Sequence, residues 1–143
     1  MHSSFRLRWC ADWGSLLALC VLLLWPAWTL GEWPGTGVDL YGTVWFYGWI
    51  RQSVEQGFDP SFTQLFFYPN GKDIFAHTGN NFIDAYLSIP FQWVFGNWFP
   101  APFCTALLMG NVIAFRWWTR ELGTSLYIRW ILSVLWLLNP YCI

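Results

Sequence analysis

The chain has 143 residues, of which 56% are hydrophobic, 22% are aromatic and 10% are charged. Soluble globular domains carry about 25% charged residues, so seven Lys+Arg and eight Asp+Glu are too few to cover a water-facing surface. The composition excludes a disordered chain, and seven scattered cations cannot form the basic face that a nucleic-acid binder needs. It predicts an all-α membrane protein with about three transmembrane helices and a long outer loop that carries interfacial helices.

The first predicted membrane span covers residues 13–31, which contain no charged residue. At about 1.5 Å per residue this run gives roughly 28 Å, close to the roughly 30 Å of a bilayer's hydrocarbon core. Arg6 and Arg8 precede the run, so the positive-inside rule predicts a cytoplasmic N-terminus. A cleaved signal peptide is the alternative, although bulky Trp28 stands where a cleavage site needs small residues. Pro26 predicts a kink in the last turns.

Residues 32–100 form the predicted outer loop, on the periplasmic or lumenal side. Its first part is rich in Gly and Pro and has more acidic than basic residues. A loop of this length is uncommon without structure of its own. Apolar residues recur on one side of residues 43–56, and a second apolar stretch covers residues 82–96. We expect two helices there that lie flat on the outer leaflet.

The uncharged stretch at residues 85–115 is longer than one span needs. Either its first half lies at the interface and only residues 101–118 cross the membrane, or both halves cross as a hairpin. The first topology places three arginines on the cytoplasmic side, as the positive-inside rule favours: Arg116, Arg120 and Arg129. It is the topology predicted here, with a third span over residues 125–142.

The outer loop holds the grouped ionisable residues in which chemistry is expected. Asp39 follows the first span, where a carboxylate can act as a general base or bind a metal, with an N-cap role as the alternative. Arg51 and Lys72 are candidates to hold an anionic phosphate, with ordinary exposed cations as the alternative. Asp73 and His77, four residues apart, would share one side of a helix as two ligands of a divalent metal. Two residues do not make a site, so solvated loop side chains are the alternative there.

Several features share an order that is known from one enzyme family. A single span is followed by an acidic residue, an interfacial helix that closes on Phe95-Gly96, a basic turn at residues 116–120 and a last span that ends near Pro140. This order resembles the N-terminal region of the GT-C superfamily of polytopic glycosyltransferases, of the protein O-mannosyltransferase and aminoarabinose transferase type. The resemblance covers most of residues 14–143. Two departures are the sequence at residues 80–82, where several relatives carry a Pro-Pro signature, and a span count well below the family's.

The resemblance implies transfer of a sugar from a polyprenyl-phosphate donor at the outer membrane face. It implies Asp39 as a base or metal-associated carboxylate, with Arg51 and Lys72 near the donor phosphate. Since three spans do not enclose a donor cavity, the chain would be the N-terminal module of a longer enzyme. Its partners would be membrane lipid, the lipid-linked sugar and other membrane subunits. The alternative function is a small non-enzymatic accessory subunit of a larger membrane complex.

Overall fold

The computed structural model describes residues 2–35, 38–66, 68–74 and 82–139, without the side chains of residues 2–9 and 38–39. The chain divides into two compact units. The terminal unit comprises Met1–Pro34 and Pro100–Ile143, and the central unit comprises Gly35–Phe99. The elements, in chain order, are α1 (His2–Leu23), α2 (Trp25–Leu30), α3 (Val38–Gln56), β1 (Phe62–Thr63), β2 (Lys72–Asp73), α4 (Phe82–Phe95), a 3₁₀ turn (Gly96–Trp98), α5 (Pro100–Glu121) and α6 (Leu126–Leu137).

The prediction of three membrane spans is wrong. Among the helices of the described residues, none combines the length and the apolar character that crossing a bilayer requires. The predicted span at residues 13–31 is divided between two helices that are separated at Leu24. The first of them, α1, begins well before the apolar run and therefore contains charged residues: Arg6, Arg8 and Asp12.

The other two predicted spans fail for different reasons. Helix α5 covers the predicted span at residues 101–118. Its apolar character is reduced by Asn111 and Arg116 within that range and by Arg120 and Glu121 at its end. Helix α6 has 12 residues, or about 18 Å, against the roughly 30 Å of a hydrocarbon core. The multi-pass integral membrane localisation predicted from these spans, with its cytoplasmic N-terminus and its periplasmic or lumenal loop, is therefore not supported.

The core of the terminal unit forms where α1, α5 and α6 meet. Its buried apolar residues are Leu16, Cys20, Leu24, Leu108, Val112 and Leu137. Helices α1 and α5 run antiparallel, because Asp12 contacts Arg116 while Cys20, further along α1, contacts Met109, which comes earlier in α5.

A buried ion pair links α1 to α5. The guanidinium of Arg116 donates from both terminal nitrogens to the two carboxylate oxygens of Asp12, and the Nη1–Oδ1 distance is 3.3 Å. The Arg116 side chain is 7% exposed and that of Asp12 is 18% exposed. The guanidinium carbon also lies 4.7 Å from the centroid of the Trp13 ring, where the negative face of the ring attracts a cation. The charge of Arg116 is therefore held by two groups of α1.

The central unit packs α4 against α3 and includes a short hairpin. The helix predicted over residues 43–56 is present within the longer α3, and the one predicted over residues 82–96 is present as α4. Strands β1 and β2 pair antiparallel, with Phe62 opposite Asp73. Gly71, with φ of +75°, precedes β2 at a position where residues with a side chain are strained.

Candidate functional site

Helix α4 buries a mixed set of side chains and leaves several large apolar residues outside. The residues of α4 that are buried are Ala85, Ser88, Ile89 and Gln92. The outward apolar residues are 44–74% exposed: Ile83, Tyr86, Leu87, Trp93, Val94 and Phe95. We call this set the apolar face of α4. An amphipathic surface helix ordinarily turns its apolar stripe against the core. Helix α4 buries Ile89 in this way but leaves the six residues of this face outside.

A series of hydrogen bonds runs from the inner side of α4 to α3. The Ser88 hydroxyl donates to the carbonyl of Ala85 at 2.7 Å. The Gln92 amide donates to the Ser88 hydroxyl at 2.8 Å and reaches the carbonyl of Tyr47 in α3 at 3.4 Å. A buried amide must be hydrogen-bonded, because leaving it without a partner costs about 1–3 kcal/mol. Rotating α4 to bury its large side chains would carry Gln92 away from Tyr47.

A groove of about 460 Å³ lies along α3, next to the apolar face of α4. Its floor includes Trp45 and Trp49, whose rings stack at 5.5 Å, and Gly48 between them. The indole of Trp49 donates to the carbonyl of Pro60 at 3.0 Å, which holds that ring in place. Since Gly48 carries no side chain, the groove stays open at its centre.

The rim of the groove is polar. Four of its lining residues carry polar or charged groups: Arg51, Gln52, Glu55 and Gln56. The Arg51 Nε atom lies 3.6 Å from a carboxylate oxygen of Glu55, and both side chains are more than 40% exposed. The same oxygen of Glu55 accepts a hydrogen bond from the indole of Trp93 at 2.9 Å. Glu55 therefore joins the groove on α3 to the apolar face of α4.

The turn after α3 is held by an acidic residue. A carboxylate oxygen of Asp59 accepts from the backbone N–H of Ser61 at 2.8 Å. This hydrogen bond stabilises the ionised form and lowers the pKa of Asp59. It fixes the chain next to Pro60, whose carbonyl holds Trp49.

The structure brings one of the predicted site residues into the groove. Arg51 lines it, as described above. Lys72 lies in β2, with its Nζ atom 6.0 Å from the centroid of the Phe66 ring. Asp39 lies in the first turn of α3, which begins at Val38, so it does not hold the N-cap position, and its side chain is outside the described part.

The predicted metal pair receives no support. Asp73 is exposed in β2, and His77 lies outside the described residues. Within the described part of the chain, no group of three or more His, Cys, Asp or Glu side chains could hold a metal ion.

The buried polar side of α4 was not predicted from the sequence. Ser88 and Gln92 are four residues apart in an otherwise apolar stretch, so they share one face of a helix. This spacing is the signal that could have shown which face turns inward. Trp93 comes next in the sequence after Gln92. The helical period then turns its side chain away from the buried side of α4.

Comparison with models of known protein families, with curated proteins and with solved structures gives no match to this chain. The spans that the GT-C resemblance requires are not found in the described residues. Neither the comparisons nor the geometry supports a glycosyltransferase or a polyprenyl-phosphate donor.

Proposed function

We propose that the chain is an accessory docking subunit of a larger protein complex and that the apolar face of α4 makes the central contact. The observation that carries this proposal is the orientation of α4, which keeps six large apolar side chains outside while Ser88 and Gln92 are buried. A concentration of exposed large apolar residues on one helix is typical of a site of interaction.

The composition of the surface fits a protein partner. Protein interfaces have an apolar centre and a polar rim, with charged residues depleted at the centre. The apolar face of α4 carries no charged residue, and the adjoining groove supplies Arg51 and Glu55. Trp and Tyr are enriched among the residues that contribute most to binding, and this face contains Tyr86 and Trp93. The partner would present an apolar surface next to hydrogen-bonding groups that meet Gln52 and Glu55.

The experiment is a measurement of the native mass of the complex that contains the full chain, before and after substitution on the apolar face of α4. Leu87 and Val94 are seven residues apart on that face and are 54% and 74% exposed. Replacing both with Gln (Leu87→Gln, Val94→Gln) removes apolar contact without disturbing buried groups. We expect the parent chain in a stoichiometric complex well above its own 16.8 kDa and the double variant released from it.

The matched control is Tyr41→Gln, which removes an aromatic side chain that is 77% exposed on α3 of the same unit. It should leave the complex intact. Circular dichroism of each variant verifies that the helices are retained. A native mass of 16.8 kDa for the parent chain, or a double variant that stays in the complex, would refute the proposal.

A further inference from the structure

One end of the terminal unit combines the starts of α1 and α6 with the end of α5. Because α1 and α5 are antiparallel, the start of α1 lies beside the end of α5. The indole of Trp130 in α6 donates to the Ser15 hydroxyl of α1 at 2.9 Å, which brings the start of α6 to the same end. We call this the basic end, and it consists of residues 2–9, 117–122 and 125–130.

The basic end carries a concentrated positive charge. It contains four arginines, Arg6, Arg8, Arg120 and Arg129, and one acidic residue, Glu121, which gives +4 − 1 = +3. The whole chain has a net charge of −1. Arg6 and Arg8 precede Asp12 in α1, by about 9 and 6 Å along the helix axis at the helical rise of about 1.5 Å per residue. Arg120 is exposed.

Large apolar side chains lie among these cations. Trp117, Trp118, Leu122 and Tyr127 are 59–73% exposed. Indole and phenol rings settle at the level of lipid headgroups, where one part of the ring is apolar and another is wet. Arginine side chains can lie along apolar surface while the guanidinium stays in water. The basic end thus has cationic side chains and exposed aromatic rings, and a bilayer surface attracts both.

We infer that the basic end binds the surface of an anionic lipid bilayer. The arginines meet lipid phosphates, and the exposed aromatic rings enter the headgroup layer. A phosphate-bearing polymer in solution would use the arginines but would leave the two tryptophans and Leu122 in water. This inference concerns the terminal unit and does not depend on the docking function proposed for α4.

The test uses the full chain and vesicles of two compositions, phosphatidylcholine alone and phosphatidylcholine with about 30% phosphatidylglycerol. Cosedimentation gives the bound fraction, and the blue shift of Trp fluorescence reports entry into the headgroup layer. We expect at least about tenfold tighter binding to the anionic vesicles, with most of the difference lost at about 0.5 M salt because salt screens the charges.

Substitutions in the basic end, compared with one in the central unit, assign the binding to the basic end. Each arginine near an anionic surface contributes about fivefold in affinity, so Arg120→Gln should weaken binding about fivefold and the pair Arg6→Gln, Arg8→Gln about 25-fold. Trp118→Gln should weaken binding to both vesicle types. The matched control is Arg51→Gln in the central unit, which removes a side chain that is 41% exposed and should leave binding unchanged.

Three outcomes would overturn the inference: equal affinity for the two vesicle types, equal weakening by Arg51→Gln and Arg120→Gln, or displacement of the chain from anionic vesicles by an equal phosphate concentration of soluble polyphosphate. The double variant at Leu87 and Val94 should still bind the vesicles. A failure of the α4 proposal is therefore distinguishable from a failure here.

Discussion

The ion pair between Asp12 and Arg116 gives the sharpest test of the packing of the terminal unit. Asp12→Asn keeps the size of the side chain and removes its charge. The guanidinium of Arg116 then stays in a place where its side chain is 7% exposed, with Trp13 as its other described contact. Removing one partner of a buried pair costs about 3–5 kcal/mol, because the remaining charge is desolvated and uncompensated.

We expect a loss of about 3 kcal/mol in the free energy of unfolding, at the low end of that range because the Asp12 side chain keeps 18% exposure. Urea denaturation measures it. With a slope of about 2 kcal/mol per molar, the midpoint should fall by about 1.5 M.

Two comparisons make the result decisive. Replacing both partners with apolar residues (Asp12→Leu, Arg116→Met) should cost less than Asp12→Asn alone, because no charge is left buried. Glu121→Gln removes an exposed acidic charge from the same helix as Arg116 and should change stability by no more than about 0.5 kcal/mol. If Asp12→Asn costs no more than Glu121→Gln, the pair is solvated in the folded chain and the reasoning is refuted.

Three further predictions concern glycines and thiols. Gly48→Ala should raise the free energy of unfolding, measured by urea denaturation, by about 0.5–1 kcal/mol. Gly is unfavourable inside a helix, and a Cβ at this position would meet nothing within 4 Å. A lower free energy of unfolding would show that α3 is packed more tightly there. Gly71→Ala should lower the free energy of unfolding by more than about 1 kcal/mol. The φ of +75° is strained for Ala, and the added Cβ would overlap the Phe62 ring. An unchanged urea midpoint would contradict that geometry. Burial raises the pKa of the Cys104 thiol to about 11, so about one thiol in a thousand is ionised at pH 8. In mass-spectrometric peptide mapping, alkylation of Cys104 should therefore be far slower than that of exposed Cys10 and should accelerate as the pH approaches 11; equal rates at pH 8 would contradict the burial.

The positions of the helices were largely predictable from the sequence, and their environment was not. Apolar periodicity located the helix at residues 43–56, because the period depends only on local geometry, and an uncharged apolar stretch located the helix at residues 82–96. The span over residues 13–31 was wrong because an uncharged run does not determine where a helix begins and ends. Helix α1 begins at His2 and ends at Leu23, so it contains charged residues and loses the end of the apolar run.

Of the candidate site residues, Arg51 lines the groove on α3. Its predicted role of holding an anionic phosphate stays a prediction. The role of Gln92 depends on the carbonyl of Tyr47, which is 45 residues away in the chain, and local patterns do not contain such a contact. The rule that large apolar residues turn inward holds for Ile89 of α4 but fails for six others of that helix, which are 44–74% exposed.

The small residues on the inner side of α4 also have a consequence for conformational entropy. Burying Ala85 and Ser88 freezes few rotamers, whereas burying Ile89 and Gln92 freezes more. The exposed side chains of Ile83 and Leu87 keep their rotamer freedom in the isolated chain. When a partner immobilises these side chains, the favourable free energy of binding falls by about 0.5–1.5 kcal/mol for each. We therefore expect association through α4 to be weaker and more readily reversed than the area of its apolar face suggests.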